Sequence, residues 1–284
     1  MVYSSGSPRV DAESDFMRAR RHQVLSSLAA RLRNDTDDVV QSMSFDEVVD
    51  ALGRRAENYL GTKLIPLDAI VGSVDKARDF DRRFRPTSGR SRQRWERLAR
   101  ASRTGEVIPP IDVYQVGDYY FVQDGHHRVS VARSLRLGVI EARVTAIDTF
   151  LTPVGIDARS DLERKFWRRL LLERVPFTGE ARAAVAVDDP FEYGEIAETV
   201  EAWAARTMHA EGKYMDKATM AARWYAEEFR PVVDMIEEAG VRGEDERPAE
   251  AYMRVACERY RLIREHEWNA EVMDAVTRKG KKRR

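Results

Sequence analysis

The sequence predicts an α+β fold: a small mixed sheet with helices in the middle of the chain, an N-terminal helical segment before it and an all-α domain after it. Three observations predict this. Two strand-like runs, Ile111 to Val116 and Tyr119 to Gln123, flank Gly117-Asp118, the two-residue spacing of a hairpin turn. Asp124-Gly125 then leads into a helix carrying Val129, Val131, Ala132 and Leu135; Gly138 stops it, and Glu141 to Ile147 is strand-like again. From about Ser160 onward the apolar residues keep helical spacing and no strand pattern returns.

Taken in order, residues 1–12 are rich in Ser, Gly and Pro and read as a flexible tail. Residues 13–60 read as the N-terminal helical segment. Phe16, Val24, Leu25, Leu28 and Leu32 follow helical spacing, and Ser44-Phe-Asp-Glu47 opens a second helix as a capping box that Gly61 is expected to close off. Residues 61–150 form the mixed-sheet domain. Its first run, Lys63 to Val71, is broken by Pro66 and therefore reads as an edge strand. Residues 157–278 make the helical domain, with helices marked by Leu162–Leu171, Tyr193–Ala210, Trp224–Ile236 (kinked near Pro231) and Tyr252–Trp268. Residues 279–284 read as a basic disordered tail.

Composition narrows the function classes. No run approaches the ~20 apolar residues that span a bilayer. The single cysteine, Cys257, excludes an internal disulfide framework, and with no secretory leader pattern it points to a reducing cytoplasm. Net charge is zero but uneven: Lys76 to Arg103 holds eleven basic and three acidic residues, whereas the region from 151 to 278 is acidic. The basic stretch suits phosphates, on a nucleotide or on nucleic acid; it equally suits a solvated Arg-rich helix face. The acidic half opposes wrapping DNA, and no recognition helix stands out in it.

The segment with most chemistry is Tyr120 to Arg133, YFVQDGHHRVSVAR. A strand ends, the chain turns at Asp124-Gly125, and a helix begins within His126-His127-Arg128. The first amides of a helix lack internal partners and carry the positive end of its dipole. A glycine there admits close approach, and two imidazoles and a guanidinium add donors, so a phosphate group suits the turn. No GxxxxGK[ST] loop is present. Adjacent histidines on a helix point ~100° apart, which disfavours a shared zinc. A phosphate-bound Mg²⁺ on Asp124, Asp79 or Asp81 fits the composition better, although Asp75, Asp79 and Asp81 could equally make ion pairs with the neighbouring arginines.

Residues Lys63 to Ile147 resemble the ParB/sulfiredoxin superfamily, through KLIPLDAI, IPPIDVYQVGDYYFVQDGHHRVSVAR and EARVTAI. The flanking segments IVGSVDKARDFDRRFRP and ARWYAEEFRPVV resemble ParB-like proteins with a C-terminal helical domain of unknown function. In that superfamily the turn before the helix carries the nucleotide-binding residues, as Gly-Cys-His-Arg in sulfiredoxins and Gly-Glu-Arg-Arg in ParB proteins. Here Gly125-His126-His127-Arg128 occupies it, with His127 and Arg128 matching the sulfiredoxin form. His126 replaces both the reactive Cys and the ParB Glu, so neither family's reaction carries over unchanged.

The resemblance implies a nucleotide-binding protein taking ATP or CTP, with Mg²⁺, that hydrolyses the nucleotide or transfers a phosphoryl group. Gly125, His126, His127 and Arg128 would cradle the phosphates, helped by Arg85 and Arg78. His127 would serve as general acid or base, with Asp124 orienting it or, with Asp79, holding the metal. Two alternatives stay open at this stage. One is a DNA-binding protein or nuclease using the basic stretch. The other is a non-catalytic scaffold that senses a nucleotide and binds a protein partner through its helical domain. A small-molecule kinase is a further form of the first reading.

Overall fold

The computed structural model describes residues 6–32, 43–74, 80–81, 83–156 and 159–263. The chain divides into two compact units, 1–162 and 163–284. In the first unit the order is α1 (Pro8–Leu32), β1 (Met43–Ser44), α2 (Phe45–Leu52), β2 (Arg54–Pro66), β3 (Ile70–Ser73), α3 (Arg92–Thr104), β4 (Ile111–Val116), β5 (Tyr119–Asp124), α4 (His126–Ser134) and β6 (Val139–Thr149). The sheet runs β1-β3-β5-β4-β6-β2. Neighbours β1–β3, β3–β5 and β4–β6 are parallel, whereas β4–β5 and β2–β6 are antiparallel, so the sheet is mixed as expected.

Strand alternation sorts side chains to the two faces. Ile111 and Val113 of β4 and Val122 of β5 join Ile65, Ile70, Ala142 and Val144 in a core completed by Val129 and Ala132 of α4. On the same strands Tyr114 and Phe121 meet Phe45 of α2, with ring centroids 4.7 and 5.6 Å apart. A second cluster joins Phe16 of α1, Trp95 and Ala99 of α3, Val131 of α4 and Phe80. Trp95 is fully buried, and its indole N–H donates to Ser130 Oγ at 2.8 Å, which satisfies a polar atom that burial would otherwise penalise.

Three boundaries differ from the sequence reading. The helix α1 begins at Pro8, and Asp11 and Ala12 are buried, so residues 8–12 belong to the fold and not to a tail. Residues 54–60 are strand, not part of a helical segment: β2 starts at Arg54 directly after α2. Gly61 lies inside β2 at a register shift against β6, with φ +79°, where it accommodates a bulge. The edge position read from Pro66 holds, since β2 pairs only with β6 within the sheet.

The second unit is helical. Its elements are α5 (Arg159–Arg174, which crosses the division), α6 (Gly179–Ala184), α7 (Glu192–Glu211), α8 (Lys217–Trp224), α9 (Arg230–Glu238) and α10 (Pro248–Ile263). The kink expected at Pro231 is a single π turn, Tyr225–Phe229, closed by the Arg230 N–H donating to the Tyr225 carbonyl. Trp224, Phe229 and Tyr252 pack there with centroids 5.2 to 5.4 Å apart. Burial pushes the Tyr252 phenol far above its ordinary pKa. Trp268 and the lysine-arginine tail lie outside the described residues.

Candidate functional site

The parallel strands β3 and β5 end side by side, with Ser73 opposite Val122, and β5 runs into the Gly125 turn and α4. Gly125 is the N-cap at φ +105°, and no side chain caps the helix. A Cβ at this position would stand 2.5 Å from Ile111 Cγ2 and 3.0 Å from Arg128 Nε. Glycine is thus required by the protein's own packing. That differs from the sequence expectation of space left for a ligand.

The two imidazoles face the end of β3 and the loop after it. Ser73 Oγ and His126 Nε2 are 2.5 Å apart. Phe80 and Phe84 both stack on the His126 ring, at 6.4 and 6.0 Å, and His127 meets Phe80 edge-on at 4.9 Å. The loop that presents these phenyl rings is organised by Asp81. Its carboxylate accepts the backbone N–H groups of Arg83 and Arg85 at 3.0 and 2.9 Å, and the Arg85 Nε–H at 2.8 Å. Phe84 is held at φ +57°, a left-handed conformation that costs a bulky residue about 1–2 kcal/mol, and Arg133 lies over its ring at 5.1 Å.

Arg128 points elsewhere. Its guanidinium donates to the Pro109 and Pro110 carbonyls at 2.9 and 2.5 Å and pairs with Asp124. The expected phosphate-facing guanidinium is therefore corrected: Arg128 is a brace that ties the turn to the chain entering β4. Asp124, expected to orient His127 or hold Mg²⁺, is the partner in that brace. Arg85 is likewise engaged, with Asp81 and with the His22 carbonyl and Ser26 Oγ of α1. Asp81 makes the ion pair that composition left open. Arg78 and Asp79 lie outside the described residues, as does Asp75. Among the described residues no three His, Cys, Asp or Glu side chains converge as a metal site. The turn thus brings together Gly125, His126 and His127 and directs Arg128, Asp124 and Arg85 into structural contacts.

Sequence reasoning missed Ser73, Phe80 and Phe84. Ser73 is an isolated hydroxyl at the end of a short strand, 53 positions from its partner, and carries no local signal. The phenylalanines were visible only as apolar residues within an arginine-rich stretch.

On α3 the arginines separate into two groups. Arg92 pairs with Glu96, and Arg103 with Asp11 and Asp15. Arg94, Arg97 and Arg100 recur at three-residue spacing, and together with Arg90 they are exposed and have no acidic partner among the described residues.

Residues 71–152 match the family model of the ParB N-terminal domain. This segment is similar to ParB N-terminal domains. Within this domain fall β3, the Phe80–Phe84 loop, α3, the β4–β5 hairpin, α4 and β6. Solved structures similar to the chain include a sulfiredoxin from Arabidopsis thaliana, 23% identical, covering 29% of this chain and 82% of that one, with a TM-score of 0.23. A Pnob8-like ParB-N domain in its C2221 form is 11% identical over 79% of this chain and 80% of its own, with a TM-score of 0.24. A further pNOB8-like ParB N-domain is 14% identical over 79% of this chain and 75% of its own, with a TM-score of 0.23. No curated protein matches the chain. No helix among the described residues is long and apolar enough to cross a membrane.

Proposed function

We propose that the ParB-like domain binds the phosphates of a nucleotide, ATP or CTP, at the N-terminus of α4, and hydrolyses it or transfers a phosphoryl group. The observation that carries this reading is the uncapped start of α4 at the end of parallel strands, with two imidazoles beside it. Backbone amides and the helix dipole favour an anion at such a position. Arg128 supports the site by holding the turn in place, with three of its guanidinium hydrogens on the Pro109 and Pro110 carbonyls and the Asp124 carboxylate.

Melting of the full chain with ATP, ADP, CTP and GTP, each with and without Mg²⁺, tests this. A nucleotide at one hundred times its Kd should stabilise the folded chain by about 2.7 kcal/mol, read as a raised Tm. His127→Ala should reduce the shift while leaving the apo Tm near wild type. If none of the four nucleotides moves the Tm at millimolar concentration, the reading fails.

The exposed arginine row of α3 favours a second reading, a nucleic-acid-binding or nuclease surface. Four such side chains on duplex phosphates would give a log–log salt dependence of about −3.6, and Arg94→Ala with Arg97→Ala should flatten it by roughly 2. A gel-shift titration across salt concentrations reads this slope. Absence of any shift at low salt removes the second reading and leaves the first untouched. A protein partner for the helical domain and a purely sensing role belong to the same proposal, distinguished by nucleotide binding without turnover.

A further inference from the structure

We propose that Ser73 is a phosphoryl acceptor within this site and that His126 is its general base. The proposal deepens the nucleotide reading above and rests on it.

The geometry is that of a nucleophile paired with its base. Ser73 Oγ has two neighbours, His126 Nε2 at 2.5 Å and the Val122 carbonyl at 3.3 Å. The Val122 carbonyl already accepts the Val74 N–H at 3.0 Å. The contact with His126 is the shorter of the two, and in the tautomer that leaves Nε2 unprotonated the hydroxyl donates to the ring. A hydroxyl hydrogen-bonded to a neutral imidazole is the arrangement that raises serine nucleophilicity.

Position supports the pairing. Ser73 is the last residue of β3, adjacent to β5 in a parallel pair, and His126 is the first residue of α4. Ligands of open α/β sheets gather outside the carboxyl ends of parallel strands, so a phosphate on the α4 amides lies beside Ser73 and not across the domain from it.

In the step, Ser73 Oγ forms a bond to the γ-phosphorus of a nucleoside triphosphate while its proton passes to His126 Nε2. The bond from that phosphorus to the β,γ-bridging oxygen breaks, and its electron pair leaves with the nucleoside diphosphate. His126 then releases the proton to water. One P–O bond forms, one breaks, and nothing is oxidised or reduced.

The experiment incubates the full chain with the Mg²⁺ complexes of γ-labelled ATP and CTP and maps the label by peptide mass spectrometry. The expected result is one phosphoryl group on the peptide that contains Ser73. Ser73→Ala should abolish it, and Ser73→Thr, which keeps a hydroxyl, should retain it. His126→Gln should slow labelling on the order of 100-fold with an unchanged Tm. Should Ser73→Ala not fold, the mapped residue in the wild-type chain together with His126→Gln decides. Nucleotide binding by calorimetry without label on Ser73 overturns the acceptor assignment and leaves the binding reading intact. Label on another residue overturns it too, and absence of nucleotide binding overturns both.

Discussion

Gly125→Ala is expected to destabilise the first unit by about 2–5 kcal/mol, visible as a lower urea midpoint before any ligand is added. Two costs combine. Residue 125 sits at φ +105°, where an L side chain is strained by about 1–2 kcal/mol. The added methyl would also stand 2.5 Å from Ile111 Cγ2 and 2.9 Å from its Cβ. Ile111 is fully buried in the sheet core, so it has little room to retreat, and overpacking of this kind costs about 1–3 kcal/mol. Gly105→Ala is the control: it has φ +73° but nothing within 4 Å of the new Cβ, so only the strain applies. Equal losses in the two variants would show that packing against Ile111 is not what demands glycine at the turn. The surviving fraction of folded Gly125→Ala should bind nucleotide poorly, because relief of the clash displaces the amides that begin α4.

How far the sequence revealed this arrangement depends on how local each cause is. The β4–β5 hairpin was legible because Gly117-Asp118 and its flanking alternation lie within a dozen residues. The start of α4 was legible for the same reason. The strand β2 was not, beyond its edge character. Along Arg54–Pro66 only Ile65 is buried, so the alternation that marks a half-buried strand is absent, and Gly61 looked like a terminator when it fills a bulge. The site splits likewise. Gly125 to Arg128 was legible as a strand–turn–helix junction, yet the direction of Arg128 is set by the Pro109 and Pro110 carbonyls, which approach only in the folded sheet. Ser73 and the Phe80–Phe84 loop reach the histidines across more than forty positions, a distance at which spacing carries no information.

Arg103→Met is expected to cost about 3–5 kcal/mol, because it removes the guanidinium hydrogen-bonded to a fully buried carboxylate. Asp15 of α1 is fully buried and Asp11 nearly so. The Arg103 guanidinium of α3 donates to Asp15 Oδ2 from Nε at 3.1 Å and from a terminal nitrogen at 2.6 Å, and it lies 3.7 Å from Asp11. Removing it leaves Asp15 the longer 3.4 Å pairing with Arg18, beside the Phe16–Trp95 contact that seats α1 on α3. The double variant Asp15→Asn with Arg103→Met should recover more than half of the loss, since no full charge then remains at position 15. A single-variant cost under about 1 kcal/mol would place the pair among weak surface bridges and refute the argument. The consequence reaches the site. Helix α1 also holds Arg85 through the His22 carbonyl and Ser26, and Arg85 is fixed to the Asp81 carboxylate that shapes the loop bearing Phe80 and Phe84. Loosening α1 should therefore free those phenyl rings from His126 and His127, so Arg103→Met is expected to speed amide exchange at Asp81 and residues 83–85 as well as along α1. Exchange confined to α1 would show that the helix stabilises the unit without shaping the pocket.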